Sequence, residues 1–494
     1  MRKFTLLFIV AAFASIALAQ VTTVPGIIQK GYGGEVTIIF NPNEGNKGMV
    51  GATQCYAHTG LITSASSNDS DWKNEVESWR ENTSKTQLTK DGNNWKLVIP
   101  NIYTFYNCSK STDIKKLAFV FHDGKGGSKE GKTAENTDIF VELAEVGLAA
   151  SISTSMPEIS SIGQSVTLNC YATATATLTL KLNGSVVKTA NGTEMTYAHK
   201  LDKQGNYNFE LTATNGTETK TATAFTCVPT APVKANRPTG IINGIYYDKN
   251  DQTKVTLCTF AGSKTEPAKH VFVVGDFNDW TISNDYQLKQ ASDSAYFWIE
   301  LSGLTPQKEY AMQYVVVRAD GQVKRISDLY SELVLHKDDS WEPSQNYPNL
   351  KPYPAAGEGY VTVIQTGKPE FNWSDATLNF KRPNKNNLII YELWVRDHTP
   401  ARTFKGLMER MEYFEDLGVN AIELMPICEF DGNDSWGYNP NHYFAVDKSY
   451  GSSDELKLFI DECHKRGIAV IIDMVFNHTT GQNPMAELYP YGND

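Results

Sequence analysis

Up to residue 382 the chain consists of short runs in which apolar and polar positions alternate, each closed by a cluster of turn-forming residues. Over 20–145 the runs 35–40, 95–99 and 117–121 keep a period of two, and Asp91-Gly92-Asn93-Asn94 is a turn cluster, so a small all-β domain is expected. Over 146–230 the composition shifts to Thr, Ala and Ser, with strands expected at 165–170, 178–182, 206–214 and 219–226. Asn183-Gly184 and Asn215-Gly216 have the chemistry of tight hairpin turns. A linker with Pro229, Pro232 and Pro238 follows, then a third β domain over 240–340 with strands near 255–260, 270–274, 296–301 and 310–318. A Pro- and Tyr-rich connector is expected over 341–382.

From residue 383 the pattern changes to apolar strands alternating with amphipathic helices. The run 387–395 is a buried strand that ends in charged residues. Thr403 can cap a helix whose Phe404, Leu407, Met408, Met411 and Phe414 fall at helical spacing, with Gly418 as its left-handed stop. A second strand is expected over 419–425. Ser452 to Glu455 forms a capping box ahead of the stripe Leu456, Phe459, Ile460 and Cys463, and Gly467 ends that helix before a third strand at 468–476. Two successive βαβ units with continuous apolar strands imply a parallel sheet covered on both faces. A (β/α)₈ barrel and a doubly wound sheet both fit. The sequence stops about a hundred residues after the first of these strands, whereas a whole barrel takes about 250, so an incomplete barrel over 383–494 is expected.

Composition changes the picture in three ways. With 494 residues, 41% hydrophobic, the chain has material for about three to five domains with real cores. A formal charge of -11, with no long basic stretch, speaks against nucleic acid as a partner. Arg2 and Lys3, an apolar stretch to Leu18 and Ala17-Leu18-Ala19 have the order of a signal peptide, expected to be removed after Ala19. The protein is therefore expected to be secreted or held at the cell envelope. The apolar run is short for a membrane anchor, the other reading, and no other run could span a membrane. Seven Cys are too few for a disulfide scaffold, although Cys55 with Cys108 and Cys170 with Cys227 could each pair within one domain.

In a parallel α/β fold the chemistry sits at the carboxyl ends of the strands. There the chain places Glu392, Arg396, Asp397 and His398, then the run Glu429 to Pro440 with Trp436-Gly437-Tyr438-Asn439, then Asp473-Met474-Val475-Phe476-Asn477-His478. Period-two alternation would put Asp473, Val475 and Asn477 on one face, with His478 reaching in from the loop. This spacing, with Gly418 to Pro426 ahead of it, resembles the α-amylase family, glycoside hydrolase family 13. The resemblance implies a (β/α)₈ TIM barrel. It implies that Tyr438 stacks on the sugar beside the scissile bond, that His478 hydrogen-bonds its hydroxyls and that Asp473 orients polar groups in the site floor. In calcium-dependent members the Asn of this motif is a ligand, so Asn477 is implied as an oxygen donor to Ca²⁺. The family's nucleophile and acid/base follow the fourth and fifth strands, and both are expected beyond Asp494. Asp397, Glu429 and Asp434 match neither position, and the 494-residue chain alone is expected to be inactive.

The β segments fit the same picture. The run Val271 to Trp280 resembles the β-sandwich ahead of the barrel in branching, debranching and some amylase enzymes, with Trp280 read mainly as packing. Cys55-Tyr56-Ala57-His58-Thr59-Gly60, with Trp72 and the runs Ala118 to Phe121 and Gly127 to Gly131, resembles a starch-binding module. That likeness implies Tyr56, His58 and Trp72 as glucan contacts, with Trp79 next and Trp95 in the core. The segment 146–230, with Tyr207 at a tyrosine-corner position, resembles an immunoglobulin-like sandwich. Phe209 stands where such a domain has its second Cys. The expected architecture is three β-sandwich-type domains followed by the first part of a (β/α)₈ barrel, an order similar to extracellular amylases of Bacteroidetes-type bacteria. The implied function is retaining hydrolysis of α-1,4 bonds in a starch-like α-glucan. A debranching or transglycosylating member, or a non-catalytic starch-binding protein, are the alternatives.

Overall fold

The computed structural model describes residues 20–134, 136–263, 265–292, 295–342 and 344–488. The leader expected over 1–19 lies outside them. The chain divides into two compact units, Met1–Thr230 and Ala231–Asp494. No helix among the described residues is long and apolar enough to cross a membrane.

The first unit opens with an eight-stranded antiparallel sheet in which Cys55–Thr63 and Ile114–His122 are paired from Tyr56↔His122 to Thr63↔Ile114. Alternation sets its two faces: Val36–Phe40 buries Val36, Ile38 and Phe40 while Thr37 and Ile39 are half-exposed. Trp95 is buried in the same core, as expected. The rest of the unit is a five-stranded antiparallel sheet with its own core, which includes Leu168, Leu178, Phe209 and Leu211. Two of the expected strands, 165–170 and 178–182, are one strand of 18 residues, Ser165–Leu182. Its first half pairs with Ala150–Thr154 and its second half with Gly205–Thr214. Ser185–Lys200 pairs along its whole length, with register shifts between Tyr171 and Ala176 and between Leu180 and Lys181. Asn183 and Gly184 both take positive φ, 48° and 82°, as the two-residue hairpin requires. The Tyr207 hydroxyl donates to the Lys203 carbonyl at 2.9 Å and so closes the chain back on itself four residues upstream.

The suggested disulfides are not formed: all seven cysteines are free thiols. Cys170 pairs across the sheet with Met195 and Ile152, whereas Cys227 faces Asn206 on another strand. Burial pushes the Cys170 thiol up to about 11 and the Cys227 thiol up to about 12, so both are unreactive at neutral pH.

In the second unit two sheets enclose one core, which includes Leu257, Val271, Val273, Phe297, Met312, Tyr314 and Ile364. Here the boundary at 340 needs correction. The strand Val361–Gln365, inside the stretch read as a connector, pairs with Glu309–Val317 on one side and Val334–Leu335 on the other. Its Val-Thr-Val-Ile pattern is a good strand former, and the Pro- and Tyr-rich sequence before it masks the signal. Trp280 packs against the cluster of Ala311, Leu335 and Val361, and its indole donates to Asp276 Oδ1 at 3.0 Å.

Beside that strand Asp328 is almost fully buried and accepts from the Tyr314 hydroxyl at 2.8 Å and the Tyr330 amide at 2.7 Å. Burial nevertheless pushes its carboxyl up to about 6. A folded-state pKa above the unfolded value means that the proton stabilises the fold, so the charged form carries its full penalty above pH 6 and loses it as pH falls toward 4. Asp328→Asn is therefore expected to be more favourable relative to wild type at pH 8 than at pH 4, by up to about 3 kcal/mol. Urea unfolding of both proteins at the two pH values checks this, and a pH-independent difference would sink it.

The remaining chain builds a three-stranded parallel sheet of Ile390–Leu393, Ala421–Leu424 and Ala469–Ile472. Each strand is four residues long, shorter than its apolar run. The first expected helix is two, Phe404–Met408 and Met411–Asp416, because the hydrogen-bond ladder tightens where the Arg410 amide bonds to the Leu407 carbonyl. Thr403 caps the first piece and Gly418, at φ 70°, follows the second. The helix Ser453–Lys465 begins at the full Ser452–Glu455 capping box and buries Leu456, Phe459 and Cys463. Between the second strand and that helix an antiparallel pair, Cys428–Phe430 and Pro440–Val446, carries a protruding loop.

Candidate functional site

That loop presents Tyr438. Its turn is held by Ser435, whose hydroxyl bonds to Asn439 Oδ1 and accepts from the Gly437 amide at 3.0 Å. Only glycine fits at 437: φ is 89°, and a Cβ there would lie 2.3 Å from the Pro426 carbonyl. Tyr438 Oη donates to Asp473 Oδ2 at 2.8 Å. His478 Nε2 donates to the Tyr438 carbonyl at 2.9 Å, and its Nδ1 lies 2.9 Å from the Asn477 side-chain amide. Tyr443 Oη donates to the His478 carbonyl at 2.9 Å. Burial, followed by the bond to Asp473, pushes the Tyr438 phenol up to about 12, so it remains a neutral donor.

Tyr438, Asp473, Asn477 and His478 are thus brought together at the carboxyl end of the parallel sheet. The route differs from simple alternation. The third strand ends at Ile472, so Asp473 to His478 is irregular chain, oriented by its bonds to the Tyr438 loop and not by the pleat. Glu423, which sequence reasoning passed over, lies in register beside Glu392, and both carboxylates add to the rise at Tyr438. Asp434 pairs with Arg396 and Glu429 with Lys448, structural uses for two of the acidic residues set aside as catalytic candidates. Calcium needs six to eight oxygens. Asn477 supplies one, engaged with His478, and among the described residues no group of three or more His, Cys, Asp or Glu could hold a metal.

A second constellation lies on the first sheet. Tyr56 and His58 stand on the strand Cys55–Thr63, and Trp72 and Trp79 come from the loop that follows it. His58 stacks on Trp72, with centroids 5.4 Å apart, and meets Trp79 edge-on at 5.1 Å. Trp79, 46% exposed, offers the most accessible ring. Tyr56 is buried and stacks on His122 at 5.9 Å, so its ring face is turned to the protein. His122 is the residue that the sequence concealed. It ends an apolar strand, and only its pairing with Tyr56 puts it on this face. Arg80 anchors the loop with bonds to Asp123 and Glu130.

Residues 377–487 match the model of the α-amylase catalytic domain. The chain is 35% identical over 168 residues to malto-oligosyltrehalose trehalohydrolase of Saccharolobus solfataricus, covering 34% of this chain and 28% of that protein. It is 31% identical over 226 residues to the 1,4-α-glucan branching enzyme of Oleidesulfovibrio alaskensis, covering 43% of this chain and 31% of the relative. Pullulanase A of Streptococcus pneumoniae is 26% identical over 286 residues, covering 50% of this chain and 20% of the relative. The chain thus spans less than a third of the length of each of these relatives.

Proposed function

Because the chain belongs to the α-amylase family, glycoside hydrolase family 13, through residues 377–487, we propose that it is part of an enzyme that hydrolyses α-1,4 bonds of a starch-like polymer with retention. The observation that carries this is the Tyr438–Asp473–His478 constellation. A phenol ring offers an apolar face to a pyranose, while the proton on His478 and the carboxylate of Asp473 hold polar groups around it. Such a subsite fixes one sugar but does not break a bond. Retaining hydrolysis needs two carboxyl groups about 5 to 5.5 Å apart, one attacking the anomeric carbon and one protonating the leaving oxygen. In this reading they follow the fourth and fifth barrel strands. Asn477 is the position through which calcium would be held, as one oxygen of a set that these residues do not complete. Export rests on the charged, apolar, Ala-x-Ala order of residues 1–19. The His58, Trp72 and Trp79 cluster, with Tyr56 packed on His122 as its support, serves as the surface that holds the polymer.

A second reading, a debranching or branching enzyme, is favoured by one observation: the branching enzyme and the pullulanase match 43% and 50% of this chain, against 34% for the trehalohydrolase. Reading the gene past Asp494 and assaying the product on amylose and pullulan separates the readings. An Asp and a Glu after the fourth and fifth strands, with amylose cut and the 494-residue chain inert, is the expected result. Cleavage of pullulan alone favours debranching. Absence of the carboxylates, or no release from either polymer, overturns the enzyme reading in favour of a starch-binding protein.

A further inference from the structure

Two imidazole nitrogens in the aromatic cluster of the first sheet are buried without a hydrogen-bond partner, His58 Nδ1 and His122 Nε2. The opposite nitrogen of each ring fixes what they are. His58 Nε2 lies 3.0 Å from Glu75 Oε2 and donates to it, which leaves Nδ1 as a bare acceptor. His122 Nδ1 accepts from the Gly124 amide at 3.1 Å, which puts the proton on Nε2 and leaves a bare donor. Burial, with the Arg80 guanidinium adding to it, pushes the His122 imidazole down to about 4, so this neutral tautomer holds at pH 7. The two residues are diagonal neighbours on one face of the paired strands, since Tyr56 pairs with His122 and His58 with Val120.

The ring that neighbours both is Trp79, with centroids 5.1 Å from His58 and 5.4 Å from His122. The Trp72 indole is pinned by donating to the Asp69 carbonyl at 3.1 Å, whereas the Trp79 indole nitrogen has no hydrogen bond among the described residues and its ring is held only by packing, with the Arg80 guanidinium 5.4 Å from its centroid. An unsatisfied buried donor and an unsatisfied buried acceptor on one face are costly unless something fills them. One matched donor and acceptor suit adjacent hydroxyls of a neutral sugar, where one oxygen accepts and the other donates. They do not suit an anion, which would only accept.

We propose that His122 Nε2–H and His58 Nδ1 are a built donor–acceptor pair that receives two adjacent hydroxyls of one glucose residue of an α-glucan, the sugar displacing the Trp79 ring that covers them. This rests on the reading of the cluster as a glucan-binding surface and adds to it a buried polar pair and a movable cover.

Two substitutions each remove one nitrogen and keep the other bond. His58→Gln retains a donor toward Glu75 and loses the Nδ1 acceptor. His122→Asn retains an acceptor for the Gly124 amide and loses the Nε2 donor. The test is calorimetric titration of the 494-residue chain and its variants with maltoheptaose, with Trp72→Ala alongside. Each histidine variant is expected to weaken binding about tenfold, as the loss of one buried hydrogen bond should. Circular dichroism and the unfolding midpoint report whether the variants fold. In chain labelled with 5-fluorotryptophan, the resonance that Trp79→Phe removes is expected to shift on adding maltoheptaose. If Trp72→Ala loses binding but both histidine variants bind as wild type, the pair holds only water and the inference falls while the glucan surface stands. If wild type binds no maltoheptaose, the glucan-binding reading falls, and the inference with it.

Discussion

Replacing Lys448 by methionine is expected to cost about 3–5 kcal/mol of stability in the second unit, because it leaves buried carboxylates without their counter-charge. Lys448 is 2% exposed, pairs with Glu429 and lies 3.4 Å from Asp339 Oδ1. Burial alone would lower its pKa, but the Glu429, Asp339 and Asp447 carboxylates raise it, and the ammonium stays charged. Without it, Glu429 must take up a proton or sit charged among apolar neighbours. The sign with pH follows. Carboxyls whose folded pKa is raised gain stability from protonation, so the deficit of the variant should shrink as pH falls through that raised range toward the ordinary carboxyl value of about 4.3. Urea unfolding at pH 7 and pH 4.5 measures both. A deficit under about 1 kcal/mol at pH 7, near what a surface pair contributes, would show that the ammonium is not holding the cluster.

The second large effect concerns Asp473. In the protein that includes the complete barrel, Asp473→Ala is expected to lower kcat/KM on amylose about a hundredfold, the order of loss that follows when a substrate-positioning group shifts by about an ångström. The reason is the 2.8 Å bond by which Asp473 fixes the Tyr438 hydroxyl, and with it the ring. Asp473 lies outside the third strand and outside the hydrophobic core, so the unfolding midpoint should barely move. Reducing-sugar release by wild type and variant measures the effect, and activity within about threefold of wild type would remove Asp473 from the site.

Much of the fold was legible where local chemistry decides it. The Ser452 capping box, the left-handed Asn183-Gly184 turn and the alternation in Val36–Phe40 are each fixed by neighbours in sequence. The Tyr438, Asp473 and His478 set was legible through motif spacing, although the strand that was thought to orient Asp473 stops one residue short of it. What escaped depends on partners distant along the chain. Nothing local to Lys448 marks a buried centre, and Asp339 and Glu429, 109 and 19 positions before it, make it one. His122 closes an apolar run and reads as core until Tyr56 is paired opposite it. Val361–Gln365 is masked by the prolines before it, and nothing local says that it belongs with a strand that begins at Glu309.

That strand has a consequence for how the protein is made. The sheet that holds Glu309–Val317 is completed by Val361–Gln365, so the sandwich cannot close while the nascent chain ends near residue 340. A ribosome must first translate the proline-rich stretch, and until residue 365 has left the exit tunnel one side of Glu309–Met312 waits unpaired. By then the codons of the first parallel strand, Ile390–Leu393, are being read or have been read. Synthesis therefore couples the two events in time: the last strand of this sheet emerges while the parallel sheet is being translated, and Leu488, which packs into the same core, arrives only after that sheet has been made.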